Sequence, residues 1–152
     1  MSFIQNQLGL VGSGGYIYMN NSGTGVSFSI TTSYQEVASL GTSFTLASTS
    51  PDFAMTTDGR LKYTGLRTKN FMANAVFCID SNSAGSYAIQ IYKNGSATGL
   101  QIYSSKISTL ALTKIPLSLS TNDYISLYAK RATSGTPSLS SVELSIISTN
   151  GA

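Results

Sequence analysis

Along residues 26–148, β-branched and aromatic residues alternate with polar ones in short runs broken by Gly, Asn and Asp, and no stretch keeps a 3.6-residue apolar period over ten or more residues. Alternation is the period of a strand with one buried face, so the pattern argues against a helical bundle or an α/β fold. Runs near 16–20, 26–32, 44–48, 53–56, 60–63, 70–80, 87–93, 100–106, 110–120, 124–131 and 141–148 read as strands. Asp58-Gly59 and Asn94-Gly95 read as two-residue hairpin turns with both central residues at positive φ, and 121–123 and 134–137 as loops. Pro116 has no N–H to give a ladder, which places its run at a sheet edge or a bulge. About ten strands in 152 residues is the content of an all-β, two-sheet antiparallel jelly-roll sandwich. Six glycines fall within residues 1–25, so 1–25 reads as a Gly-rich N-terminal arm or linker, able to add a strand, and 26–152 as the jelly-roll domain.

Charged residues make up 10% of the chain, against roughly 25% in ordinary soluble domains. Its surface must therefore be built from Ser, Thr, Asn and Gly, a style common in secreted and virion proteins that leaves weakly hydrated area for contacts. The net charge of +3 is unevenly spread: no Lys or Arg precedes Arg60, and the N-terminus carries no basic arm. Packaging a polyanion needs clustered cations, so no nucleic-acid partner is expected. Cys78 is the only cysteine, which excludes an intramolecular disulfide. No basic segment leads into an apolar one in the manner of a signal peptide, and no apolar run approaches the ~20 residues that span a bilayer. Neither secretion by that route nor membrane insertion is expected. A virion component released by lysis would meet both conditions.

The chain has no histidine. That removes Ser-His-Asp and Cys-His pairs, the commonest general base and the commonest metal ligand, while one Cys cannot build a zinc site. Of the six acidic residues, Asp52 and Asp58 flank a hairpin and could approach each other, but Asp58 is accounted for by its turn. Asp80 lacks a calcium-loop pattern and Asp123 reads as an Asx-turn residue. Gly12-Ser13-Gly14-Gly15 superficially resembles a phosphate loop but is followed by neither Lys-Ser/Thr nor a helix. No enzymatic activity, metal or cofactor is expected. The nine tyrosines suit glycan or protein recognition; Tyr87, Tyr103, Tyr124 and Tyr128 lie on strands where packing is their first role.

Face assignments point to assembly. Phe71, Ala73, Ala75, Phe77 and Ile79 share one parity, and Met72, Asn74, Val76 and Cys78 the other, which is semi-apolar instead of charged. Between 110 and 120, Ile115, Leu117 and Leu119 share a parity opposite to Leu110, Leu112 and Lys114; unless Pro116 shifts the register, Leu110 and Leu112 point out of the core. In the last strand Val142, Leu144 and Ile146 face inward and Glu143, Ser145 and Ile147 outward. Apolar residues on a face that should be wet mark a partner surface.

The segments GRLKYTGLRTKNFMANAVFCI, YAIQIYKNG, LTKIPLSLSTNDYISLYAK and SSVELSII together resemble the tumour-necrosis-factor-like and complement-head-like jelly roll, in the low-charge form found in virus and bacteriophage structural proteins. The resemblance spans roughly residues 26–149 and implies homotrimers about a threefold axis. Together with the parity argument it selects Met72, Asn74, Leu110, Leu112, Lys114, Glu143 and Ser145 as the trimer interface. Glu143 at an axis would bring like charges together unless Lys114 pairs with it. The expected function is a viral or phage structural protein: a trimeric fibre head or capsid decoration domain for attachment or particle assembly. Its partners would be copies of itself, a capsid or stalk protein held through the N-terminal arm, and a host-surface glycan or protein. The alternatives are a lectin-like carbohydrate-binding jelly roll and a minor capsid protein without a receptor role.

Overall fold

Strict alternation in Lys69–Ile79 sets the architecture: Phe71, Ala73, Ala75, Phe77 and Ile79 are all buried, and each residue between them is half-buried. A computed structural model describes residues 13–20, 26–41, 43–47, 50–80, 85–107 and 109–149. Among these the strands are β1 Gly14–Asn20, β2 Val26–Ser27, β3 Gln35–Glu36, β4 Thr45–Leu46, β5 Phe53–Thr57, β6 Arg60–Tyr63, β7 Lys69–Ile79, β8 Gly85–Lys93, β9 Ser96–Ile107, β10 Thr109–Leu119, β11 Tyr124–Arg131 and β12 Ser138–Ser148, with a 3-10 turn at Val37–Leu40. Sheet I runs β10-β7-β12-β1-β4, with β2 also on β12; sheet II runs β5-β6-β11-β8-β9, with β3 also on β11. All these pairs are antiparallel. The chain is thus the two-sheet jelly-roll sandwich that its periodicity predicts.

The core between the sheets is organised by aromatic rings. Phe53, Tyr63 and Phe71 meet with centroids 5.2–5.4 Å apart, while Phe77 touches Phe28 at 6.5 Å and Tyr87 at 6.1 Å. Each such side chain stabilises the fold by roughly 1.5–3 kcal/mol through burial. The Tyr63 hydroxyl donates to the Arg67 carbonyl at 2.7 Å, so a fully buried phenol keeps a partner. Tyr87 is likewise fully buried.

Several sequence expectations need correction. The strand read near 16–20 is β1, which lies inside sheet I between β12 and β4; residues 1–12 and 21–25 lie outside the described part. Gly14 and Gly15 are strand residues, not a phosphate loop. A Cβ on Gly15 would sit 2.9–3.0 Å from Leu61 and Phe53, and one on Gly14 would sit 2.8 Å from the Ile146 carbonyl oxygen. The run 26–32 forms only β2 and one bridge, Ile30 to Gly135, while β3 was not foreseen. Asn94 and Gly95 both take positive φ, as a type I′ turn requires, whereas at Asp58-Gly59 only Gly59 does. The Asp58 carboxylate instead accepts the Phe44 N–H at 2.8 Å.

The largest correction concerns β10. Its register on β7 shifts between Leu112, opposite Ala75, and Ile115, opposite Ala73. Thr113 and Lys114 together face Asn74, with Lys114 at φ 57 and its N–H donating to Asn74 Oδ1 at 2.9 Å. This bulge reverses the parity, so Leu110 (1% exposed), Leu112 (4%) and Ile115 all enter the core. The shift occurs before Pro116, which pairs with Met72 on the edge strand of sheet I.

Candidate assembly interface

The outer face of sheet I is assembled from side chains opposite in parity to the core. Reading the register across strands gives a row Ala111, Val76, Glu143, Tyr18, Thr45; a row Pro116, Met72, Ile147, Gly14; and between them Asn74, Ser145 and Tyr16. Cys78 continues the face beside Thr109 and Ser141, its sulfur accepting the Thr109 hydroxyl at 3.7 Å. Met72, Val76 and Cys78 are half-buried by neighbours within the sheet, and Ile147 is 53% exposed.

Ile17 and Met19 turn inward, so Tyr16 and Tyr18 face out and stack with centroids 5.6 Å apart. Partial burial, followed by a hydrogen bond to Glu143, pushes the Tyr16 phenol above its usual range. The ion pairs among the described residues, Arg60–Glu36, Lys69–Asp52 and Lys93–Asp123, do not include a Glu143–Lys114 pair.

Of the residues selected from sequence, Met72, Asn74, Glu143 and Ser145 lie together on this face. Lys114 is exposed at the adjoining bulge, where Asn74 fixes its backbone. Leu110 and Leu112 are not on the face, because the bulge turns them into the core. Tyr16, Tyr18 and Ile147 belong to the surface but were left off the selection; the outward parity of Ile147 was already the signal for it.

Sheet II presents a different outer face. Arg60 makes two hydrogen bonds to the Glu36 carboxylate, at 2.8 and 3.0 Å, which hold its guanidinium even more firmly protonated, and it lies 4.7 Å from the Tyr124 ring. Tyr92 and Tyr128 stack with centroids 3.7 Å apart. The Arg60–Glu36 ion pair and the Tyr34 hydroxyl, which donates to Gln101, hydrate part of this side, where Leu100 and Tyr103 of β9 are 53% and 60% exposed; sheet I places Glu143 with Tyr16, Tyr18, Asn74 and Ser145 beside Met72, Val76, Ala111, Pro116 and Ile147.

Asp52 and Asp123 take structural roles. Asp52 pairs with Lys69 at 3.5 Å. Asp123 accepts from Asn94 Nδ2 at 2.7 Å and the Ser120 N–H at 2.8 Å, and lies 3.1 Å from Lys93 Nζ. Burial alone would raise its pKa, but those donors together hold the carboxyl below its ordinary value. Among the described residues no three His, Cys, Asp or Glu side chains cluster as metal ligands. A hollow of about 420 Å³ is lined by neutral groups, Ser27, Ser29, Gln35, Ser39 and Thr136 among them.

No protein-family model and no curated protein sequence matches this chain. Solved structures do match in shape. The PRD1 vertex protein P5 superposes with a TM-score of 0.66 at 7% identity, over 90% of this chain and 96% of P5. The Eiger TNF of S. frugiperda gives 0.60 at 16% identity, over 93% and 94%. Murine APRIL at pH 8.0 gives 0.57 at 12% identity, over 90% and 98%. The fold is the TNF-like jelly roll. Within that fold, the aliphatic row Pro116, Met72, Ile147 on the outer face of sheet I consists of this chain's own side chains.

Proposed function

We propose that the chain is a structural component of a virus or bacteriophage particle that acts as a homotrimer, with the outer face of sheet I turned toward its sister copies. The observation that carries this is the aliphatic row on the outer face of sheet I, where Ile147, 53% exposed, lies beside Met72 and Pro116 with Glu143 as the face's carboxylate. Leaving aliphatic side chains in water forfeits roughly 25 cal/mol for each Å² that a partner would cover. The TNF-like fold and the likeness to a phage vertex protein support the particle role. In this reading the interface comprises Tyr16, Met72, Asn74, Glu143, Ser145 and Ile147, with Tyr16 lying beside Ser145 and Tyr18 beside Glu143 in the register. The segment before β1 attaches the trimer to a capsid, stalk or neighbouring subunit, and the rest of the molecule meets the lattice or a host surface. Binding through three copies raises avidity by about 10²–10⁴ without new contacts.

Light scattering of the purified chain over a dilution series tests the proposal. A mass near three times the 16.0 kDa protomer is expected. A protomer mass at every concentration would overturn it.

A further inference from the structure

The outer face of sheet II contains a notch that the assembly reading does not use. Lys130 of β11, Ala88 of β8 and Tyr103 of β9 lie in one cross-strand row. Ala88 is short, so the residues on either side of it stand as walls around a cleft of about 210 Å³, with Thr32 at its rim. The Tyr103 wall is 60% exposed, an unusual position for a phenol ring on a central stretch of strand. Lys130 is held in place: its ammonium lies 4.7 Å from the centroid of the Tyr34 ring, and the Tyr34 hydroxyl is tied by a hydrogen bond to Gln101, two residues before Tyr103. Lys130 forms no ion pair among the described residues. Arg131 also lines the cleft, with its guanidinium 5.3 Å from the buried Tyr87 ring.

An aromatic face, a hydroxyl and one pre-positioned cation in so small a space match a single sugar ring bearing a negative group. The volume is below the roughly 300–1,000 Å³ of sites for drug-sized ligands, which limits the occupant to a terminal residue. A nucleic acid would need a strip of cations, and on this face Arg60 is already committed to Glu36. We propose that the cleft between Tyr103 and Lys130 binds an anionic saccharide, the pyranose ring stacking on Tyr103 and its carboxylate or sulfate meeting Lys130. The site lies within one protomer, so it stands or falls independently of trimer formation.

The test is chemical-shift titration of the full-length chain with sialyllactose, with a heparin-derived sulfated disaccharide and with lactose. Saturable binding of either anionic sugar, with lactose weaker, is expected; which of the two binds assigns the carboxylate or the sulfate. Tyr103→Ala should weaken binding by roughly tenfold or more, Lys130→Gln should remove the preference over lactose, Lys130→Arg should retain it, and Ala88→Leu should fill the floor and block the site. Absence of binding to both anionic sugars at millimolar concentration would overturn the proposal. So would lactose binding as tightly as they do, or affinities unchanged in Tyr103→Ala and Lys130→Gln chains that melt at the wild-type temperature.

Discussion

At the scale of single residues, Leu112 and Asp123 show how position decides a side chain's part. Leu112 is packed in the core, so a charge placed there has no partner and no water. Leu112→Lys is expected to destabilise the protomer by about 3–5 kcal/mol, read by urea unfolding. A stable, fully folded variant altered only in assembly would contradict the inward orientation. Asp123 ties the 120–124 turn to the 93–94 hairpin, since its carboxylate takes donors from Ser120 in its own turn and from Asn94 and Lys93, while Asn94 Oδ1 accepts the Tyr124 N–H at 2.9 Å. Its folded pKa lies below the unfolded value of about 3.9, so its contribution is present in full above that pH and is lost as pH falls through the folded pKa. Asp123→Asn should lower stability at pH 7 by about 1–2 kcal/mol and flatten the pH dependence of unfolding below pH 4, measured by thermal melts across that range. An undiminished acid dependence in the variant would assign it to other carboxylates.

At the scale of elements, the β10 bulge determines which residues of the edge strand are core. Lys114 occupies the left-handed region, where a Cβ is costly and β-branching more so. Lys114→Gly should leave stability within about 1 kcal/mol of wild type or raise it, whereas Lys114→Val should lower it by about 1–2 kcal/mol; equal melting temperatures would show that the bulge has another backbone solution. The same element marks how far the sequence could be read. Strands β6 and β11 agree with the expected 60–63 and 124–131 to the residue, because clean alternation bounded by turn residues leaves one register. The faces of β7 and β12 were legible for the same reason. β10 was not: a two-residue irregularity at Thr113-Lys114 has no Gly to announce it, and Pro116 drew attention to the wrong place. β3 escaped because two residues are too few to show a period. β1 was read partly as arm because its two glycines, which let Phe53, Leu61 and the Ile146 carbonyl approach closely, look like linker composition when their neighbours are unknown.

At the scale of the whole molecule, two sheets of similar size bury one face each against the other and leave two outer faces. That of sheet II carries the Arg60–Glu36 ion pair and stacked tyrosines. The other carries the aliphatic row Pro116, Met72, Ile147, and the account holds that sister protomers cover it. Ile147 is the most direct probe, because it is 53% exposed and a polar replacement there should leave protomer stability within about 0.5 kcal/mol. Sedimentation equilibrium of the native chain beside Ile147→Lys decides the matter. A native mass about three times that of the protomer is expected, with the variant shifted toward the protomer and its β-sheet spectrum unchanged. Identical masses for the two, whether single or threefold, would contradict it.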